Sequence, residues 1–324
     1  MKTTSDTPDL SIIVVSMNDC RSIHNLINHL SQQTIVDKIE LVILTAHDNE
    51  VRLEDEEMEP YFYIRISRVD SELSLGEIKA AGVRLANAPV VVFLEDHVFP
   101  EAGYAEAIVK AHHKEWAAIG PVMRNANPLT KVSWAQFLIF FYPWVEPTYR
   151  QEVDQLTWNC SSYKKDLLLE FGDDLPNLLR AESVLQAKLK IKGFKIILEP
   201  DAVCYHYNFN RLKPWLLEIF NVGRVFAFHR SRSWSTFRKL IYFLGSFLIP
   251  LIKLGRIFLS IRKVYIGEER LLKILPFMML GLTVNAAGEM LSYGLSNRLE
   301  DYYFRLSEYH ETNLSETTPK IICK

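Results

Sequence analysis

The sequence predicts an α/β fold: a Rossmann-like, mostly parallel sheet flanked by helices, followed by a C-terminal helical region that associates with a membrane. Three observations carry this prediction. Short β-branched runs alternate with segments of helical period up to about residue 210. One run, Val90-Val91-Val92-Phe93-Leu94, stops abruptly at Glu95-Asp96-His97. Beyond Pro214 the composition changes to long apolar stretches broken by Lys and Arg.

Residues 10–16 are apolar and β-branched and form the first strand. Asn18 and Asp19 follow it. A helix over about 21–33 then places Ile23, Leu26, Ile27 and Leu30 on one face. Strands are expected at 40–45 and 61–66, with the acidic stretch 48–59 between them. Residues 75–87 read as a helix opening at Gly76. Residues 90–94 are five apolar residues, three of them β-branched, which suits a strand covered on both faces. The alternative to a ligand-binding strand end here is a solvated one followed by a turn at Pro100. No Gly-x-Gly-x-x-Gly follows the first strand and no Gly-Lys-Ser loop is present, so a dinucleotide-dependent dehydrogenase and a P-loop enzyme are both disfavoured.

Further along, a helix over 103–114 and a short strand over 117–123 precede a turn at 125–128. The aromatic stretch 134–144 reads as a core helix, with a sugar platform as the alternative. Residues 157–163 form a strand carrying Asn159, and a helix starts at 164. A helix over 182–192 is capped by Gly193. Strands at 194–198 and 202–205 follow, the second ending at His206.

The remaining chain has a different character. Residues 240–261 are broken by Pro250, Lys253 and Arg256, and residues 271–295 by Pro276, Asn285 and Glu289. Neither supplies the about 20 clean apolar residues of a secure span. From Arg211 to Lys273 there are thirteen Lys and Arg against three Glu, a charge of +10. An interfacial helical pair on an anionic leaflet suits this pattern; a buried subdomain and a membrane hairpin are the alternatives. The domain reading is therefore a tail over 1–9, an α/β domain over 10–210, a membrane-associating region over 211–296 and a polar tail over 297–324.

Composition narrows the setting. A net charge of −2 over 324 residues gives no bias toward nucleic acid. Four scattered cysteines without a Cys-x-x-Cys pair suit a reducing compartment. The apolar run 12–15 is too short for a signal-peptide core, so the cytoplasmic face of the cell membrane is the expected location, with peripheral or monotopic attachment.

The chemistry concentrates after residue 94. In an open α/β sheet, ligands bind beyond the carboxyl ends of the strands. Strand alternation puts Glu95 and His97 on one face and Asp96 on the other, unless the turn has begun. Carboxylate and imidazole can hold a divalent cation, and such a cation can bind a diphosphate. Taken singly, Glu182 at a helix start is first a dipole partner, and His206 first a structural histidine.

With these residues in place, residues 10–210 resemble a family 2 glycosyltransferase of the GT-A fold. Leu10-Ser-Ile-Ile-Val-Val-Ser-Met-Asn18 resembles its opening strand, and Glu40-Leu-Val-Ile-Leu its second. Residues Gly76 to Gly82 resemble its glycine-bounded helix. Phe93-Leu-Glu-Asp-His97 occupies the place of its Asp-x-Asp motif. Asn159-Cys-Ser-Ser-Tyr-Lys-Lys is similar to the segment before its acceptor site. Arg180-Ala-Glu-Ser-Val-Leu, eleven residues from Glu182 to Gly193, resembles the block that carries its general base. His206 lies where many members place a late metal or phosphate contact.

The resemblance implies inverting transfer from a nucleoside-diphosphate sugar to a hydroxyl of a glycan or lipid-linked acceptor, as in polysaccharide biosynthesis. It implies Mn²⁺ or Mg²⁺ on Glu95, His97 and His206. It places Ser16, Asn18, Asp48, Lys79 and Asp96 on the donor side, Trp158 and Asn159 on the acceptor side, and Glu182 as base. An imidazole ligand tilts the metal toward Mn²⁺. The chain departs from the family pattern at Thr45 and Ala46, where acids are usual, at Lys79-Ala80, where Arg-Asn is common, and at Glu182, usually Asp. No Gln-x-x-Arg-Trp of processive synthases is present. These departures define the rival reading, a catalytically inactive GT-A module that binds sugar nucleotide or scaffolds partners at the membrane. A nucleotidyltransferase would need a glycine-rich loop after the first strand, and residues 17–22 contain no glycine.

Overall fold

The computed structural model describes residues 7–16, 20–45, 53–70, 72–145, 149–158, 160–232, 234–261 and 268–294. The polar tail over 297–324 lies outside them, as do residues 1–6. The chain divides into two compact units, one of Met1–Arg124 with Glu146–His206, the other of Asn125–Val145 with Tyr207–Lys324. The sequence reading draws one boundary near 210. The fold draws it at Tyr207 and also assigns Asn125–Val145 to the second unit.

In chain order the elements are β1 (Leu10–Ser16), α1 (Cys20–Leu30), β2 (Ile39–Thr45), α2 (Asp55–Met58), β3 (Tyr63–Arg68), α3 (Leu75–Leu85), β4 (Val90–Leu94), β5 (Val98–Pro100), α4 (Tyr104–His112) and β6 (Ala118–Asn125). Then come α5 (Lys131–Phe141), β7 (Gln151–Glu152), β8 (Ser162–Lys164), α6 (Lys165–Leu169), α7 (Leu175–Leu179), α8 (Glu182–Ile191) and β9 (Ile196–His206). Four helices close the described chain: α9 (Leu212–Ser231), α10 (Thr236–Gly245), α11 (Ile249–Ile261) and α12 (Glu268–Gly294).

The sheet of the first unit runs β3-β2-β1-β4-β8-β6-β9-β5, with β7 on β9. Its first four strands are parallel, as the strand–helix alternation requires. The other half is antiparallel where β8, β5 and β7 pair. The sheet is thus mixed, and the parallel character expected of most of it belongs to the β3–β4 half. Two strands are reassigned. Residues 98–100, where the alternative reading puts a turn, form β5, an edge strand that tolerates Pro100 because one side of its backbone needs no partner. The two short strands expected at 194–198 and 202–205 are one strand of eleven residues, β9. A helical turn, α2, also stands within the expected acidic stretch.

Polar groups hold the amino ends of the parallel strands. Glu40 is buried at the start of β2 and accepts hydrogen bonds from Ser11 Oγ (2.5 Å), Asn87 N (2.7 Å) and Asn87 Nδ2 (2.5 Å). These three hydrogen bonds satisfy a carboxylate that could not be buried bare. On one sheet face, Ile78 and Val83 of α3 and Leu185 and Leu189 of α8 share a core with Ile13, Val42, Val91 and Phe93. Ser74 and Glu77 cap α3 reciprocally. Close approach explains the two glycines of α3: a Cβ on Gly76 would stand 2.0 Å from Pro176 O, and one on Gly82 would stand 2.6 Å from Ile13 Cγ2.

The second unit is helical. Gly223 and Gly288 let α9 and α12 touch at the backbone, since a Cβ at either would fall within 2.2 Å of a carbonyl oxygen on the other helix. Buried Glu289 receives Lys253 Nζ at 2.8 Å, and the same ammonium donates to Asn285 Oδ1 at 2.7 Å. Two 26-residue runs, Thr236–Ile261 and Glu269–Gly294, are long and apolar enough to cross a membrane. Pro250 stands in the first turn of α11, just after the break that separates it from α10, whereas α12 continues through Pro276, which the sequence reading took as an interruption.

Buried His112, at the end of α4, yields a prediction. Ser162 Oγ donates its only hydrogen to Ile119 O (3.0 Å), so its oxygen accepts from His112 Nε2 at 2.9 Å. Nδ1 is then the bare nitrogen, and it is buried with no partner. Burial holds the ring neutral, lowering its pKa from 6.5 to about 3, with Lys164 adding to the effect. The unfolded chain protonates this residue first, so its contribution to stability is complete above pH 6.5 and is lost as pH falls toward 3. The slope from this residue is about 1.4 kcal/mol per pH unit inside that window. His112→Gln, which retains an N–H donor, should flatten the acid limb of a denaturant-unfolding series; superimposable limbs would show that His112 does not set it.

Candidate active site

The order β3-β2-β1-β4 reverses direction at β1, which makes the carboxyl ends of β1 and β4 the switch point of the sheet. In the parallel register Val14 stands beside Leu94. Two residues further on, Ser16 Oγ donates to Asp96 Oδ2 at 3.4 Å. Two residues expected on the donor side, Ser16 and Asp96, thus meet at the place where an α/β sheet binds ligands.

Strand alternation does not govern the residues after Leu94. β4 ends there, and Val98 N donates to Glu95 O at 3.1 Å, closing a turn over 95–98. The chain then reverses into β5, whose Val98 pairs with His206 at the end of β9. This pairing brings His206 to His97, the two rings meeting edge to face with centroids 4.8 Å apart. Glu95 Oε2 is 3.3 Å from His97 Nε2 and 3.9 Å from His206 Nε2. One ligand atom from each of the three residues lies within 4.8 Å of the others. The side chains of His97 and His206 are 12% and 6% exposed, that of Glu95 37%, so the cluster opens on the carboxylate side.

The donor chemistry fits a divalent cation. Asp96 Oδ1 lies 3.2 Å from His97 Nδ1, and an ionised carboxylate can only accept, so Nδ1 carries the hydrogen. When the ring is neutral, Nε2 then turns a lone pair toward the Glu95 carboxylate. Two acceptors facing each other call for a proton or a cation between them. Ligands of an ion with bonds of roughly 2.1 Å stand roughly 3–3.5 Å apart, so the triad needs only a small contraction. One oxygen and two imidazole nitrogens suit Mn²⁺ better than Mg²⁺.

Glu182, the first residue of α8, is almost wholly enclosed. Lys79 Nζ donates to its Oε1 at 2.6 Å, and Tyr163 Oη to its Oε2 at 2.9 Å. Gln186, one turn along α8, donates from Nε2 to Tyr163 Oη at 2.9 Å. Lys79 also lies over the Phe93 ring, 5.1 Å from its centroid. Burial raises the pKa of Glu182; Lys79 and Tyr163 oppose the rise, and the Glu95 carboxylate adds to it. Desolvation is the largest of these influences. Lys79, read from the sequence as a nucleotide contact, has its ammonium on Glu182. Trp158 is 39% exposed. Asn18, Asp48 and Asn159, read as donor- and acceptor-side residues, lie outside the described residues. Sequence reasoning passed over Tyr163 and Gln186 as partners of Glu182, although the four-residue spacing of Glu182 and Gln186 on one helix was visible.

No protein-family model and no curated protein matches the chain. Solved structures match in fold. A mannosyltransferase from Pyrobaculum calidifontis in complex with GDP-Man and Mn²⁺ is 13% identical with a TM-score of 0.55, over 98% of this chain and 92% of that one. GalNAc-T7 with UDP, GalNAc and Mn²⁺ is 12% identical with a TM-score of 0.48, over 63% of this chain; the match spans 44% of that longer chain. The likeness to the mannosyltransferase is one of fold, and the GT-A fold expected from the sequence is the fold observed.

Removing one ligand tests the cluster directly. His97→Ala should weaken Mn²⁺ binding at least about tenfold, the scale of losing an outer-shell partner alone, and leave the melting temperature of the metal-free protein little changed. Titration of full-length protein followed by Mn²⁺ electron spin resonance measures it; equal affinities would remove His97 from the ligand set.

Proposed function

We propose that the chain is a glycosyltransferase that moves a sugar from a nucleoside-diphosphate donor to a hydroxyl of a glycan or lipid-linked acceptor, with inversion at the anomeric carbon. The observation that carries this reading is the Glu95–His97–His206 cluster beyond the carboxyl end of β4. Its setting supports it, since the mannosyltransferase of the same fold was solved with a nucleotide sugar and Mn²⁺. Mn²⁺ or Mg²⁺ held there supplies Lewis-acid neutralisation of the leaving diphosphate. Ser16 and Asp96, joined at the switch point, orient the donor ribose or sugar. Exposed Trp158, with Asn159 beside it in sequence, lines the acceptor side.

Glu182 is the base in this reading. Inversion is a direct displacement, and the attacking hydroxyl must lose its proton in the transition state. A carboxylate whose pKa is raised by burial suits that task better than an ordinary one. The acceptor reaches it where Lys79 or Tyr163 yields one carboxylate oxygen. The same contacts favour the rival: an acid sealed by Lys79 and Tyr163 is what an inactive, ligand-binding module would also hold. Turnover separates the two. Mn²⁺-dependent donor hydrolysis or transfer identifies the enzyme, and donor binding without turnover identifies the module. Glu182→Gln keeps an acceptor for Lys79 and removes the base. It should lower kcat about 10²–10⁴-fold and leave donor Kd nearly unchanged; a variant retaining a comparable kcat would assign the proton to another group.

The second unit completes the reading as a surface for an anionic cytoplasmic leaflet, attached peripherally or monotopically. Phe237 of α10 and Phe247 after it are each 73% exposed, and Leu244, Leu251 and Leu259 are exposed in the same run. Such side chains favour an apolar medium, and each nearby Lys or Arg adds about 1 kcal/mol at an anionic surface. Full-length protein should sediment with acidic vesicles, less so in high salt, and a Phe237→Glu, Phe247→Glu double variant should stay in the supernatant. Equal sedimentation of both would remove this run as the contact. Resistance to carbonate extraction would favour a spanning hairpin.

A further inference from the structure

We propose that a groove between α9 and α12 holds the hydrocarbon chain of an anionic lipid.

The groove follows from helix geometry. Leu212, Leu216 and Phe220 recur at four-residue spacing on one stripe of α9, with Lys213 and Leu217 beside them and Val284 facing from α12. Beside this stripe, Gly281 gives room to the fully buried Trp215: a Cβ on Gly281 would stand 2.5 Å from the indole ring. The cavity measures about 450 Å³, within the roughly 300–1,000 Å³ of small-molecule sites. Lys213 aside, its lining residues are apolar, and Leu212 and Leu217 on its rim are exposed. Water in such a groove finds few hydrogen-bond partners, and a hydrocarbon chain needs none.

Three features select the occupant. Val284 belongs to Glu269–Gly294, a helix long and apolar enough to lie in lipid. Lys213 in the groove and Arg211 at the N-cap of α9 put cations at one end, where the amino end of a 20-residue helix adds partial positive charge. An anionic headgroup with one chain satisfies both ends. A second copy of the chain does not: residues 211–273 carry +10 and would repel one another, and six lining residues are far fewer than the roughly 20–30 a side of a stable protein interface.

The test uses full-length protein in neutral-lipid nanodiscs and a prenyl phosphate bearing a photoreactive diazirine near its tail. Cross-linked peptides are expected within 212–220 and 280–288. Excess unlabelled prenyl phosphate should protect them, and inorganic phosphate should not. Leu216→Trp and Val284→Trp, which fill the groove, should each abolish this labelling while Mn²⁺-dependent donor binding persists. Lys213→Ala should weaken competition by prenyl phosphate about fivefold, the loss of one basic contact to an anionic headgroup. If the Trp variants fail to fold, Leu217→Glu on the exposed rim gives the same readout. Labelling that is unchanged in these variants, spread over α10 and α11, or suppressed by raising the protein concentration overturns the groove. A labelled groove without donor binding would sink the transferase reading and leave the lipid site standing.

Discussion

Three backbone pairs, Val98 with His206, Phe99 with Tyr205 and Pro100 with Cys204, hold the chain reversed after β4. The metal-competent cluster depends on them. Glu95 and His97 lie on one side of the tight turn, and His206 arrives from the far end of an eleven-residue strand. A slip of one residue in this pairing would turn His206 to the opposite face of the sheet. The same β9 pairs through its first half with β7, so its position is set twice.

The first unit carries buried acids at the two ends of its sheet, and their partners differ in kind. Glu40, at the amino ends of the parallel strands, is held by a hydroxyl and two amide groups of one asparagine, all neutral. Glu182, at the other functional position, is held by an ammonium and a phenol. Removing one partner of a buried ion pair costs about 3–5 kcal/mol, because a charge is left unsatisfied. The Lys79–Glu182 pair therefore joins α3 to α8 structurally while keeping a proton acceptor whose pKa is raised. The Glu95 carboxylate adds the smallest contribution to that rise.

The second unit pairs several of its buried polar groups internally. Asn125 Oδ1 accepts from Ser133 Oγ and Asn208 Nδ2, each at 3.0 Å, and Lys253 neutralises Glu289. Its helices then leave long apolar side chains outward. Its interior is nonetheless mainly apolar, with Trp215, Ile219, Met278 and Leu282 buried, and the outward Leu, Ile and Phe are what the proposed membrane contact would use.

The sequence by itself determined the α/β class, the parallel half of the sheet and the strand ending at Glu95, because these follow from local periodicity and β-branching. It offered Glu95, His97 and His206 as candidate cation ligands, and the fold brings these three side chains together. It did not disclose β5 or the unbroken β9. Pro100, Pro200 and Asp201 are local signals for interruption, and edge position and long-range pairing override them. Nor could local reasoning find the Lys79–Glu182 pair, since 103 residues separate its members and their meeting depends on two helices packing on one sheet face. The raised pKa of Glu182 was hidden for the same reason. A helix dipole is a local property that can be read from position, but desolvation is a property of the packed core, and only the tertiary structure decides it.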